Sequence, residues 1–374
     1  MSEVHNWQLN RKMQFPYEQA HPRRQVGFVF DINRCIGCQT CTMACRSTWT
    51  FSEGQEHMWW NNVSTQPYGG YPQGYDVQLL EKLGPQEWNG DTYEGQTIFE
   101  NKDGSQREVP LGYQPDKNEW RIPNIYEDTS TGHSKEGESL PHHVNFFHYL
   151  QRICNHCTYP GCLAGCPRKS IYKRPEDGIV LVDQERCRGY QECVKGCPYK
   201  KAMFNSETNT AEKCIACYPR VEEGIIPRCM AACVGCIRLA GWVSRPEDAR
   251  PDNPIDYLVH HRKVALPLFP QFGTEPNVYY VPPRWAPPAY LYQMFGPGAE
   301  DAVKTRTNPD DELFAVLKLF GCTQGIIERY EHAEGMVRGF DRDGTQIVEV
   351  PMEEPFYVRP FHEREHDAHR FNEP

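Results

Sequence analysis

The apolar positions of this chain come in short runs. Gln25 to Phe30 reads as a strand leading into a cysteine-rich loop, and Ile179 to Val182 reads as a second. Ser170 to Tyr172 and the Asp177-Gly178 turn complete a hairpin with that second strand, and Ala202 to Phe204 with Thr210 to Lys213 predict another. Pro282-Pro283 and Pro287-Pro288 oppose regular helix in the C-terminal region. One amphipathic helix is predicted from Asp311 to Arg329, with Leu313, Leu317 and Leu319 among its apolar residues. Residues 244–374 are therefore expected to form an extended tail with little core of its own, wrapped on a partner.

No apolar run approaches the roughly 18 residues of a membrane-spanning helix, so the chain is expected to have no transmembrane segment of its own. Mean hydropathy is −0.70. The N-terminus, MSEVHNWQLNRKMQFPYEQ, lacks the apolar core of a signal peptide. Arg23-Arg24 precede only Val26 to Phe30 before Asp31, and read as surface charges rather than an export signal.

Composition sharpens this picture through cysteine. Of 374 residues, 17 are Cys, and they fall in tight groups. Cys35, Cys38, Cys41 and Cys45 form C-x2-C-x2-C-x3-C, followed by Cys154, Cys157, Cys162 and Cys166. The third group is Cys187, Cys193 and Cys197, and the fourth is Cys214, Cys217, Cys229 and Cys233. Such spacing is unlike a short secreted disulfide scaffold. Three closely spaced thiolates wrap one face of an iron–sulfur cubane. The fourth falls on the next helical turn and serves a second cluster. Groups must then pair, and four groups predict four clusters. Tetrahedral zinc is the competing reading of any single pair. Groups two and three are adjacent and form one unit, while groups one and four pair across the intervening chain.

The third group departs from the pattern where Tyr190 stands in place of a cysteine. Three thiolates predict a [3Fe–4S] centre; the alternative is a [4Fe–4S] cluster with a non-cysteine ligand. Charge follows the cysteines. The chain carries −10, yet Arg152 to Arg238 holds 14 Lys and Arg against 9 Asp and Glu. Arg34, Arg46, Arg168, Lys169, Arg186, Arg188, Lys195, Lys200 and Lys201 flank ligands and favour the reduced, more anionic clusters. An overall acidic chain with cations tracking the cysteines argues against nucleic acid as partner.

The order of these groups, with Tyr190 in CRGYQECVKGCPYKK, resembles the iron–sulfur beta subunits of molybdenum enzymes of the respiratory nitrate reductase type. VHNWQLNRKM, HMWWNNVSTQPYGGYPQGYDV, YLQRICNHCTYPGCLAGCPRKSIYKRPEDGIVLVD and ALPLFPQFGTEPNVYYVPPRW are most similar to nitrite oxidoreductase beta subunits. The resemblance implies an α+β fold of two ferredoxin-like units related by pseudo-symmetry, with a long insertion and an extended C-terminal tail. It implies an N-terminal arm (1–24), unit A (25–50 plus 202–243), an insertion (51–145), unit B (146–201) and the tail (244–374). It also implies three [4Fe–4S] clusters and one [3Fe–4S] cluster. Their ligands would be Cys35, Cys38, Cys41 and Cys233; then Cys45, Cys214, Cys217 and Cys229; then Cys154, Cys157, Cys162 and Cys197; and Cys166, Cys187 and Cys193 for the [3Fe–4S] centre. Tyr190, Arg168, Arg188 and Lys195 would border that last centre. Cys236 and Cys322 are left over; Cys236 reads as a buried spare thiol, with replacement of Cys233 as the alternative. Some nitrite oxidoreductase relatives carry Asp where Cys45 stands, so this chain's second cluster is expected to be conventional.

The implied partners are a molybdenum bis-pterin catalytic alpha subunit and a haem-containing gamma subunit or membrane anchor. The implied location is the periplasmic face, by co-export with the alpha subunit, with the cytoplasmic face as alternative. The implied activity is electron relay in nitrite oxidation or nitrate reduction, or in the related perchlorate, selenate, dimethylsulfide and ethylbenzene enzymes. A self-contained iron–sulfur enzyme is the reading from another class. The sequence shows no P-loop, dinucleotide fingerprint or nucleophile elbow, so the catalytic step is expected on another chain. In the insertion, Trp59, Trp60, Trp88 and Trp120 could face the core or a partner. His142, His143 and His148 form a local group, expected to flank a helix, with metal binding as the minor reading.

Overall fold

Arg24–Asp31 is the strand around which the chain is organised. Its sequence, RQVGFVFD, is buried at every position after Arg24, as befits a strand covered on both faces. Arg238–Ser244 runs antiparallel to it, with Arg238 opposite Phe30 and Ser244 opposite Arg24. Val278–Val281 lies parallel on its other side, and Leu266–Pro267 closes the four-stranded sheet. The computed structural model describes residues 2–17, 22–67, 69–101, 112–120, 146–353 and 361–370.

Side chains alternate across a strand. Phe28 and Phe30 therefore enter the larger apolar core, together with many of the cysteines, whereas Val29 enters a second core on the opposite face. That second core is built largely from the C-terminal region: Ile255, Leu258, Leu313, Val316, Tyr330 and Val337 pack with Val29, Leu239 and Val243. The expectation of little core after residue 243 is thus corrected. Its apolar residues are far apart in sequence and converge only when the central sheet forms. Helix also starts at a proline there. Pro288 opens Pro288–Phe295 at the first helical position, where the missing N–H costs nothing.

The helix predicted from 311 to 329 is shorter, Asp311–Lys318. The Asp310 side chain caps its start by accepting from the Leu313 amide at 2.9 Å. Beyond its end Gly321 takes φ +71°, a conformation glycine adopts without strain. Arg329 instead begins the first strand of a three-stranded antiparallel sheet, Arg329–Ala333, Met336–Phe340 and Gln346–Pro351.

Both predicted hairpins are present, Ile171–Lys173 with Val180–Val182 and Ala202–Asn205 with Thr210–Lys213. Helix Thr40–Trp49 packs on Arg228–Ala231, and helix Gly161–Ala164 packs on Glu192–Gly196. Group one thus meets group four, and group two meets group three. The described part of the insertion folds back on the core: Asn62–Gln66 pairs with His148–Arg152, spanning the segment between them. Trp60 is buried, and Trp59, Trp88 and Trp120 pack partly buried against the same core. His148 opens a strand instead of flanking a helix; it is buried, and that burial lowers its pKa to about 3. His142 and His143 lie outside the described residues. At the N-terminus, strands Ser2–Asn6 and Arg11–Phe15 form a hairpin. Its turn docks on residues 273–276 through Asn6, Trp7 and Gln8.

Candidate iron–sulfur sites

The cysteine loops repeat one backbone device. The residue before the second ligand position is left-handed in every group: Gly37 at φ 67°, His156 at 42°, Gly189 at 69° and Ala216 at 53°. That turn lets closely spaced side chains face one centre, and it puts Tyr190 in the place Cys38 and Cys157 occupy in their loops. A second device follows the last cysteine by three residues. Lys169, Lys200 and Cys236 take φ of 50°, 51° and 49°. Their amides donate to the carbonyls of Cys166, Cys197 and Cys233 at 3.2, 3.1 and 3.2 Å. Cys236 therefore occupies a lysine's place in the repeat. It is partly exposed, not buried as expected, and its sulfur lies 3.8 Å from the Gly321 carbonyl and 3.9 Å from that of Cys233.

Three small cavities are lined by cysteines. Cys35, Cys38, Cys41 and Cys233 share one with Gln151 and Arg238. Cys154, Cys157, Cys162 and Cys197 share another with Tyr199 and Lys201. Cys166, Cys187 and Cys193 share a third with Arg168, Arg188 and Tyr190. Lys195 is not among those lining residues; it pairs with Glu192 at 2.8 Å. The remaining set shows itself through Cys45, whose thiol is pushed well up by burial and then by Cys229, Cys214 and Cys217. Trp49 Nε1 donates to Cys217 Sγ at 3.1 Å.

The sets also follow one another in order, each close enough to act on the next. After burial, the groups acting on the Cys229 thiol include Arg238 and Cys41 of the first set. Burial and then Cys154 of the third set push Cys214 up to about 12. Burial, then Cys166 and Cys187, then Cys197 of the third set push Cys193 up to about 12.

Buried cations surround these thiols. Arg152, Lys173, Lys200, Lys201, Lys213 and Arg238 are all nearly inaccessible. Lys173 donates to the carbonyls of His156, Cys157 and Gly178, and Lys200 to those of Tyr113 and Lys195. Burial lowers both ammonium groups to about 7. Arg238 Nε and Nη1 have no hydrogen-bond partner. Unpaired buried cations and orphaned donors are costly. Anionic thiolate-ligated clusters would satisfy both, so these residues fit such groups. Among the described residues no three His, Cys, Asp or Glu side chains are arranged to hold a metal ion; the thiols ring cavities instead of converging on a point.

Sequence reasoning picked out the cations adjacent to cysteines but missed Arg152, Lys173 and Arg238, and passed over Lys213 as a strand end. The available signal was a charged residue inside or beside a short buried strand, where charge has no place without a partner.

Thiol sets of this kind, in line and wrapped in buried cations on a ferredoxin-like domain, define an iron–sulfur electron carrier. Residues 145–242 match the family model of a 4Fe-4S dicluster domain. The chain is 44% identical over 314 residues to the selenate reductase beta subunit of Thauera selenatis, covering 76% of this chain and 90% of that one. It is 43% identical over 316 residues to the respiratory nitrate reductase beta subunit of Haloferax mediterranei, covering 75% and 84%. Against the respiratory nitrate reductase 2 beta chain of Escherichia coli it is 33% identical over 355 residues, covering 70% and 69%. The chain belongs to the iron–sulfur, electron-transferring beta subunits of the DMSO-reductase family of molybdoenzymes. Among the described residues no helix is long and apolar enough to cross a membrane.

Proposed function

We propose that this subunit holds three [4Fe–4S] clusters and one [3Fe–4S] cluster in two ferredoxin-like units related by pseudo-symmetry. The first cluster is assigned to Cys35, Cys38, Cys41 and Cys233, the second to Cys45, Cys214, Cys217 and Cys229, and the third to Cys154, Cys157, Cys162 and Cys197. The fourth, [3Fe–4S], is assigned to Cys166, Cys187 and Cys193, with Tyr190 at the missing ligand position. The supporting observation is the succession of four thiol sets, the first three beside buried cations that call for an anion and the fourth beside the exposed Arg168 and Arg188. Bound clusters supply one-electron carriers. The chain's own residues set their spacing, bury the third set completely, and leave the first accessible at Cys38 and the fourth at Tyr190.

The proposed partner at the first cluster is a molybdenum bis-pterin catalytic alpha subunit. At the fourth it is a haem-containing gamma subunit or membrane anchor. The oxyanion couple is nitrate and nitrite, supported by the likeness to the Haloferax nitrate reductase subunit; comparable likeness to the Thauera selenate reductase subunit supports selenate as the second reading. The complex is placed on the extracytoplasmic face, carried out with its alpha subunit. Anaerobic purification with iron analysis and electron paramagnetic resonance (EPR) tests the cluster assignment. The expected result is roughly 15 iron atoms in this subunit, with an oxidised signal at about g = 2.0. A content near half that value in intact complex overturns it. Protease accessibility in intact cells against lysed cells tests the location; a complex found solely on the cytoplasmic face overturns export.

A further inference from the structure

We propose that Arg238 and Lys213 are bridging cations, each standing between two neighbouring clusters and raising the reduction potential of both at once. The inference rests on the four-cluster reading above.

Arg238 begins the strand beside Arg24–Asp31 and is 2% exposed. Its Nη2 donates to Cys41 Sγ of the first set at 2.9 Å, and its guanidinium lies over the Phe30 ring at 4.7 Å. No carboxylate pairs with it among the described residues. The groups that act on it are thiols from two sets: Cys41, Cys233 and Cys35 of the first, and Cys229 of the second. Its Nε and Nη1 have no hydrogen-bond partner, and the side chain lines the first set's cavity.

Lys213 repeats this arrangement one junction further on. It ends the strand Thr210–Lys213 at 3% exposure. Its ammonium donates to the carbonyl of Val180, which lines the third set's cavity, and to that of Cys214 of the second set. Cys154 and Cys162 of the third set act on it from one side, and Cys214 of the second set from the other.

Among the described residues no such group stands at the third junction. Apart from burial, Cys193 is acted on by other cysteines and by its own backbone, and Lys195 is turned to Glu192. Reduction adds one negative charge to a cluster, and a fixed buried cation favours that state through a poorly screened Coulomb interaction. One cation between two clusters acts on both. The first three clusters are thereby tied together, and the fourth is left to its own environment.

Potentiometric EPR titration of the assembled complex tests this. In Arg238→Gln the first and second clusters should both shift to lower potential, with the oxidised-to-reduced ratio at a fixed poise rising on the order of tenfold; the third and fourth should stay in place. In Lys213→Gln the second and third should shift together. A shift confined to one cluster, no shift, or an equal shift of all four overturns the inference. Should Arg238→Gln fail to assemble, Arg238→Lys keeps the charge and should leave both potentials near wild type. A drop in the first cluster alone in that variant would assign the effect to the Cys41 hydrogen bond and overturn bridging. Fewer than four clusters in the wild type would sink the underlying assignment; four clusters without paired shifts would sink this inference alone.

Discussion

The third and fourth cysteine sets lie in the same ferredoxin-like unit and are built differently. Cys154, Cys157, Cys162 and Cys197 are all buried, and burial pushes the Cys157 and Cys162 thiols well up. In the fourth set Cys187 is partly exposed, and Tyr190 is 60% exposed where the third loop has a buried cysteine. Burial also raises Cys166, but the Ser170 hydroxyl at 3.1 Å and nearby backbone amides outweigh it and hold the thiol below its ordinary value. Between these two sets the number of thiols and the solvent access change together. A closed cavity with four thiols needs buried cations; an open one with three can use water and hydrogen bonds.

The largest expected effect would break this contrast at the level of folding. Cys162→Ala removes one of the four proposed ligands in the closed cavity. Metal ligation contributes folding free energy on the order of 10 kcal/mol per site in small metal domains, so this variant should fail to accumulate in the complex. Cys187→Ala should assemble and lose the fourth cluster's signal. Purified yield and iron content compare the two; equal yields would remove the distinction.

Tyr190→Cys should bring the fourth site closer to the third. The added thiol completes the ligand set, so the oxidised signal at about g = 2.0 should disappear and the potential should fall. Retention of that signal, with the new thiol protected from alkylation by the cluster, would show that Tyr190 does not determine the cluster type.

Ser170→Ala is a finer adjustment. It removes one hydrogen bond to Cys166 Sγ, an effect of about 1 kcal/mol. The fourth cluster's potential should fall slightly while the third is unmoved. Titrations in which both move, or neither, would assign the fourth site's character to solvent instead of this bond.

The smallest effect is expected for Cys236→Ser. Cys236 occupies the position of Lys169 and Lys200 in the loop repeat and points at Gly321. All four cluster signals should remain, and the protein should show one fewer thiol reactive to alkylation. Loss of the first cluster would instead make Cys236 a ligand.

Much of the site was legible because cysteine spacing is local. A C-x2-C loop must turn tightly, and the left-handed residues at Gly37, His156, Gly189 and Ala216 are the turn that the spacing requires. The two hairpins were legible for the same reason, since strand, turn and strand are contiguous. The C-terminal region was not. Val278–Val281 adds to the central sheet beside Arg24–Asp31, a partner some 250 residues away that no local pattern names, and its flanking prolines disguise it.

The sequence alone determined which cysteines fall into groups, that groups one and four must meet across the chain, and that position 190 breaks the repeat. Those facts follow from thiol chemistry and short-range backbone geometry. Only the tertiary structure decided where the charges go. Arg238 and Lys213 look like ordinary strand residues until the sheet and hairpin carry them between cysteine sets from distant parts of the chain. Their effect depends on burial and distance in three dimensions, because a charge acts strongly only where water is excluded.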